Sequence, residues 1–176
     1  MTKRLVLLVC LVFILFVAVS CSKGNEKGDG EPKRAESDLA PSFVLSDISG
    51  TKVDLADYRG KVVILDFFAT WCEPCRILAP DLKSFYERYK DRGVAVIAIS
   101  IDEGADAAKM VRAYGKEYGL TYPMVVDDGQ VKKKYGVFSL PTTVIINKEG
   151  KIMSKHLGIT ADYTKRLATE IDPLLR

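Results

Sequence analysis

Two cysteines three positions apart, in Trp71-Cys72-Glu73-Pro74-Cys75, are the residues of this 176-residue chain best suited to chemistry. They follow an apolar run, Lys61–Ala69, that reads as a buried strand, and they open a stretch with helical periodicity. That places Cys72 at a helix N-terminus, where unpaired backbone N–H groups and the macrodipole favour its thiolate. Pro74 costs little in a first turn, because its missing N–H would have lacked a partner anyway. Cys75, one turn in, is more shielded and can attack a mixed disulfide formed at Cys72. So short a loop gains little chain entropy from closure, so the pair serves exchange rather than stability. The other reading, a zinc half-site, needs two further ligands; the chain has one histidine, His156, and no second cysteine pair in its folded part.

The elements that must position this pair are legible as alternating apolar patterns. Phe43-Val44-Leu45 and Lys52-Val53-Asp54 flank the turn signal Asp47-Ile48-Ser49-Gly50 and predict a small hairpin. After the strand to Ala69, a helix runs from about Cys72 to Tyr89, with Ile77, Leu78, Leu82, Phe85, Tyr86 and Tyr89 at helical spacing, and Gly93 ends it. Val94–Ile101 is a second buried strand and Asp106–Tyr118 a second helix. A short strand near Pro123–Val126, a basic helix over Gln130–Tyr135, strands at Thr142–Asn147 and Lys151–Leu157, and a closing helix over Asp162–Leu175 complete the pattern. Alternating β-α-β-α followed by β-β-α implies a three-layer α/β domain with a mixed sheet. Asp66 stands out in a strand otherwise wholly apolar. A buried carboxylate there is costly without a role, and burial would raise its pKa into the range of a general base. An edge-exposed Asp is the plainer alternative.

The first twenty or so residues do not read as part of a fold. Lys3 and Arg4 precede an uninterrupted apolar run of 15 residues, Leu5–Val19, too short for a bilayer-spanning helix, and it stops at Ala18-Val19-Ser20-Cys21. This layout resembles a bacterial lipoprotein signal, cut before Cys21 with acylation of that cysteine, although Ala18 stands where such signals more often carry Leu. Residues 1–20 are therefore read as the signal, 21–40 as a tether and 41–176 as the domain. Ser22–Ala40 is rich in Gly, Lys and Glu and cannot bury enough apolar surface to order itself. Such a tether spans roughly 25 Å on average and about 65 Å stretched. The protein is expected outside the cytoplasm, attached to a lipid membrane through Cys21. With Cys10 removed and Cys21 lipidated, only Cys72 and Cys75 remain in the domain.

Residues 41–176 resemble thioredoxin-like redoxins of the TlpA/ResA type, membrane-attached disulfide reductases that work outside the cytoplasm. The likeness rests on the hairpin before Arg59-Gly60-Lys61, the strand Val62–Ala69, the Trp-Cys-Glu-Pro-Cys site and Leu140-Pro141-Thr142-Thr143. It implies a thioredoxin-like fold, a central mixed β-sheet flanked by helices with an N-terminal hairpin. It also implies catalytic roles for Cys72, Cys75, Asp66 and Pro141, the last after a cis peptide bond and beside the cysteines. Trp71, Glu73, Pro74, Leu140 and Thr142 would contact substrate. No cofactor beyond the redox-active disulfide is implied, and no metal. The implied partners are a membrane thiol-transfer electron donor and exported proteins with oxidised cysteines, apocytochrome c among them. Asp66 matches the buried acid of thioredoxin, but Ala98 stands where thioredoxin has a lysine facing it. Leu78 likewise stands where ResA-like proteins tend to carry a glutamate. Glu73 beside Cys72 should disfavour the thiolate relative to thioredoxin's neutral Gly-Pro, giving a higher Cys72 pKa and a reducing potential, which a thiol titration reads directly.

Other functions fit less well. A peroxiredoxin-type peroxidase has a proline seven residues, and Thr or Ser three residues, before its reactive cysteine; here those positions hold Leu65 and Ala69. Copper-binding assembly factors on this fold use a wider cysteine spacing. A net charge of only +3 argues against nucleic acid. His156 reads as structural, Lys132–Lys134 as a solvated helix face, and the regularly spaced aromatics as core.

Overall fold

The computed structural model describes residues 39–176; the signal-like segment, Cys10, Cys21 and most of the expected tether lie outside them. The chain is part of the fold slightly before the expected boundary at Pro41. Leu39 bridges Lys151, and the buried Ala40 donates its N–H to the Gly150 carbonyl at 2.9 Å.

A hairpin of β1 (Val44–Ser46) and β2 (Lys52–Asp54) comes first, its turn tied by Asp47, whose carboxylate accepts the N–H groups of Ser49 and Thr51. Next come β3 (Val62–Phe68), α1 (Glu73–Tyr89), β4 (Val94–Ser100), α2 (Ala107–Tyr118), β5 (Met124–Val126), α3 (Val131–Lys134), β6 (Thr142–Ile146), β7 (Ile152–Leu157) and α4 (Tyr163–Ile171). The five-stranded sheet has the order β5-β4-β3-β6-β7, with β3, β4 and β5 parallel and β6 and β7 antiparallel to their neighbours. This is the thioredoxin-like arrangement expected. The continuous apolar runs form the two central strands because both faces of β3 and β4 are covered, and every residue of both is buried.

The sheet divides the core in two. Val62, Ile64 and Phe68 of β3 join Leu82 and Phe85 of α1, Val111 and Tyr114 of α2, and Leu167 and Ile171 of α4, together with both cysteines. Val63, Leu65 and Phe67 face the other way, against Phe43, Val53 and Leu55 of the hairpin segment and Val131 and Tyr135 around α3. The hairpin is therefore the lid over one face of the sheet. After α1 a single tight turn, Lys90–Arg92, leads to Gly93, whose φ of 91° only glycine adopts easily, and so into β4. Pro80, inside α1, cannot donate to the Arg76 carbonyl one turn back, so the helix loses one backbone bond between its cysteine-bearing start and its packed body.

Leu82 is fully buried and seats the body of α1 on the sheet. Leu82→Ala should lower the unfolding free energy by about 2–5 kcal/mol. Urea unfolding followed through the single tryptophan measures this, and a loss well under 1 kcal/mol would contradict the packing described.

Candidate functional site

Cys72 and Cys75 form a disulfide at the end of the central strand β3, where the chain turns into α1. Cys72 occupies the capping position of the helix, and the backbone N–H of Cys75 donates to its sulfur at 3.2 Å. This is the amide environment expected to favour a thiolate. Both cysteines are buried, with Cys72 6% and Cys75 3% exposed, so access to the sulfurs is narrow.

The turn is held by a residue that sequence reasoning missed. Asp102, just beyond β4 and itself buried, accepts the Thr70 N–H at 2.9 Å and the Thr70 hydroxyl at 2.7 Å. The Ser100 hydroxyl donates to the same carboxylate at 2.6 Å and accepts the Asp102 N–H at 3.0 Å. The Cys72 N–H meanwhile donates to the Ala69 carbonyl at 3.1 Å. Tyr114 of α2 completes the frame, its hydroxyl donating to the Cys75 carbonyl at 3.1 Å. An isolated Asp after a strand carries no signal of such a tie; only the pairing of β3 with β4 brings Asp102 to Thr70.

Asp66 lies on the face of β3 that shares the cysteines' core cluster, in register with Ala98 of β4 and Thr143 of β6. It is 8% exposed, and its Oδ1 has no hydrogen-bond partner among the described residues. Burial pushes its carboxyl up to about 7. With Ala98 opposite, no lysine from the neighbouring strand compensates it. The phenols of Tyr114, Tyr122 and Tyr163 are pushed up first by their own burial and next by the Asp66 charge, so all three feel the same carboxylate. Tyr163 is further tied to Thr143, hydroxyl to hydroxyl, at 3.0 Å.

The Leu140–Pro141 bond is cis, and the buried Pro141 immediately precedes β6, its carbonyl accepting the Gly158 N–H at 2.8 Å. A groove of about 490 Å³ opens beside Cys72. It is lined by Trp71, Glu73 and Pro74 from the redox turn, by Ile101 and Lys132, and by the loop from Val137 to Leu140. Four of the five expected substrate contacts thus share one cavity. Thr142 is the correction: it is fully buried, and its hydroxyl donates to the Ser139 carbonyl at 2.7 Å, so it shapes the loop instead of meeting a substrate. Leu78 is buried in the cysteines' core cluster. His156 packs against Glu170, Nε2 to Oε2 at 2.8 Å, which pins β7 to α4 and fits its structural reading. Of the basic helix, Lys132 pairs with Glu103 at 3.0 Å.

The model of the AhpC/TSA family matches residues 37–155. The chain is 38% identical over 157 residues to the thiol-disulfide oxidoreductase ResA of Bacillus cereus, covering 89% of each chain. It is 37% identical to ResA of Bacillus subtilis, covering 89% of this chain and 86% of that one. Among solved structures, a thioredoxin-family thiol:disulfide interchange protein of Chlorobium tepidum superposes with a TM-score of 0.71 at 25% identity, covering 79% of this chain and 97% of that one.

The raised Asp66 carboxyl has a thermodynamic signature. Between its ordinary value of 3.8 and about 7, the folded protein holds a proton that the unfolded chain has released. That stabilisation is complete below the ordinary value and is lost as pH rises through about 7, a loss on the order of 4 kcal/mol. In the oxidised protein, where the cysteines do not titrate, Asp66→Asn should abolish this part of the pH dependence and gain stability over wild type above neutral pH. Urea unfolding across the acid-to-neutral range decides it; parallel curves for the two proteins would place the ionised carboxylate in water.

Proposed function

The chain belongs to the AhpC/TSA family and is a thiol-disulfide oxidoreductase; from this we propose that it is a reductase of protein disulfides outside the cytoplasm, held at a membrane by lipid on Cys21. One observation supports the direction of electron flow: among the described residues, neither acid near the pair has an ion-pair partner. Glu73 stands exposed in the first turn of α1, directly after Cys72, and Asp66 lies buried on the cysteines' side of the sheet facing Ala98. Negative charge disfavours a nearby thiolate. It therefore destabilises the reduced, thiolate-bearing protein relative to its disulfide, which makes the protein a donor of electrons.

In the proposed cycle the Cys72 thiolate attacks one sulfur of a substrate disulfide. A mixed disulfide forms and the other substrate sulfur leaves as a thiolate. Cys75 then loses its proton to Asp66, whose pKa of about 7 lets it accept one near neutral pH. The Cys75 thiolate attacks Cys72 Sγ, closing the Cys72–Cys75 disulfide and releasing the second substrate thiolate. Two electrons pass to the substrate, and the leaving thiolates take up protons from Asp66 and water. A membrane thiol-transfer protein would return the domain to its dithiol. The substrates are exported proteins with oxidised cysteines, with apocytochrome c named by family analogy; the buried Leu78, in place of a glutamate, marks a difference from ResA-like sites. Peroxidase chemistry, common in the wider family, lacks its residues: Leu65 and Ala69 are buried apolar side chains. A peroxide-consumption assay separates the two.

The domain starting near Leu39 should reduce insulin disulfides, whereas Cys72→Ser/Cys75→Ser should do no better than buffer. In cells, Cys75→Ser should accumulate mixed disulfides with exported proteins, because the resolving attack is missing. An empty trap together with inactive purified protein would refute the reductase. Separately, Cys21→Ser in the full-length chain should lose incorporated fatty acid and leave the membrane fraction; unchanged membrane attachment would refute the lipid anchor.

A further inference from the structure

The loop between α3 and β6 holds Phe138 almost wholly in water, at 96% exposure, and Trp71, at 70%, lines the same groove beside Cys72. Neither ring contributes to the core clusters. Exposed aromatics that flank a cavity are the residues that anchor partners, because they bury large rigid area at low entropic cost. The rest of the lining is apolar at Ile101, Pro74 and Leu140.

The charges of the groove narrow what it can hold. Of the charged residues lining it, Lys132 is engaged with Glu103 at 3.0 Å. Glu73 has no ion pair or hydrogen bond among the described residues, so it is the unpaired charge of the lining. An acidic ligand is therefore disfavoured, and an apolar one, with or without a cation, is suited.

The reaction determines where an occupant sits. A substrate sulfur must touch Cys72, so the residues beside it in the substrate chain must pass along this groove. At about 490 Å³ the groove has room for a short stretch of chain. In an extended strand, alternate side chains lie about 6.6 Å apart on one face, so a neighbour within two positions of the substrate cysteine reaches the flanking wall.

We propose that Phe138 and Trp71 form an aromatic clamp selecting oxidised, extended polypeptides that carry an aromatic or aliphatic side chain within two residues of the attacked cysteine. The proposal rests on the oxidoreductase reading and adds the substrate class and the residue that sets it. Phe138 lies outside both core clusters, so its replacement leaves the fold in place.

The test uses the reduced domain with disulfide-linked dimers of short peptides, Gly-Phe-Cys-Gly, Gly-Leu-Cys-Gly and Gly-Asp-Cys-Gly, and with glutathione disulfide. Rates come from acid quench, alkylation and mass spectrometry, normalised to reduction of the same peptides by dithiothreitol. Wild type should reduce the Phe and Leu peptides roughly tenfold faster than the Asp peptide. Phe138→Ser should bring all three within about twofold of one another by lowering the Phe and Leu rates towards the Asp rate, with glutathione disulfide still reduced, and Phe138→Leu should restore most of the preference. Equal wild-type rates for all peptides, or a preference that survives Phe138→Ser, would overturn the clamp while exchange itself persists. Failure to reduce any of these disulfides, glutathione's included, would overturn the oxidoreductase reading and the clamp with it.

Discussion

A sulfur reacts here only if the first amides of a helix are kept against it, and the tie between Asp102 and Thr70 is what keeps them there. The β3–α1 turn has no regular hydrogen-bond ladder of its own. It borrows order from the end of β4, where one buried carboxylate accepts both the N–H and the hydroxyl of Thr70 and is itself fixed by Ser100. A carboxylate taken out of water is costly unless its lone pairs are used, and three charge-assisted bonds use them. Tyr114 adds a second hold from α2, on the Cys75 carbonyl. The redox turn is thus clamped from both sides by elements distant in sequence.

The same fold treats a second acid in the opposite way. Asp66 is buried too, yet one of its oxygens has no partner among the described residues. The difference is functional in physical terms: a fully satisfied carboxylate is a structural post, whereas an unsatisfied one is ready to accept a proton. Three tyrosines surround its field and no lysine faces it from Ala98, so its affinity for a proton is set mainly by desolvation. A site tuned this way depends on staying dry, and the burial of α1 and α4 over the sheet provides that.

Much of this could be read from the residues in order. The cysteine spacing, the uninterrupted apolar strands and the lone Asp66 are local signals, and each element formed within a few residues of its expected place. What escaped was long-range. Asp102 acquires its role only when parallel pairing brings the ends of β3 and β4 side by side, and Tyr114 only when α2 packs on α1. Thr142 looked like a substrate contact because it follows Pro141, but the strand pairing that begins there turns it into the core. Phe138 was unremarkable in sequence, since an aromatic in a loop is as often buried as exposed. Its solvent exposure is a property of the folded loop alone.

Leu39 joins the sheet at the pole remote from the disulfide. Thr142 and the end of β3 that leads to Cys72 lie at one pole of the sheet, since Phe67 is in register with Thr142 and Val63 with Ile146. Lys151, which Leu39 bridges, follows Ile146 at the other pole. Leu39 is therefore fixed at the side away from the sulfurs. A disturbance at that first bridge would have to cross the length of the sheet before it reached the disulfide, so the redox turn is insulated from the edge where the described chain begins.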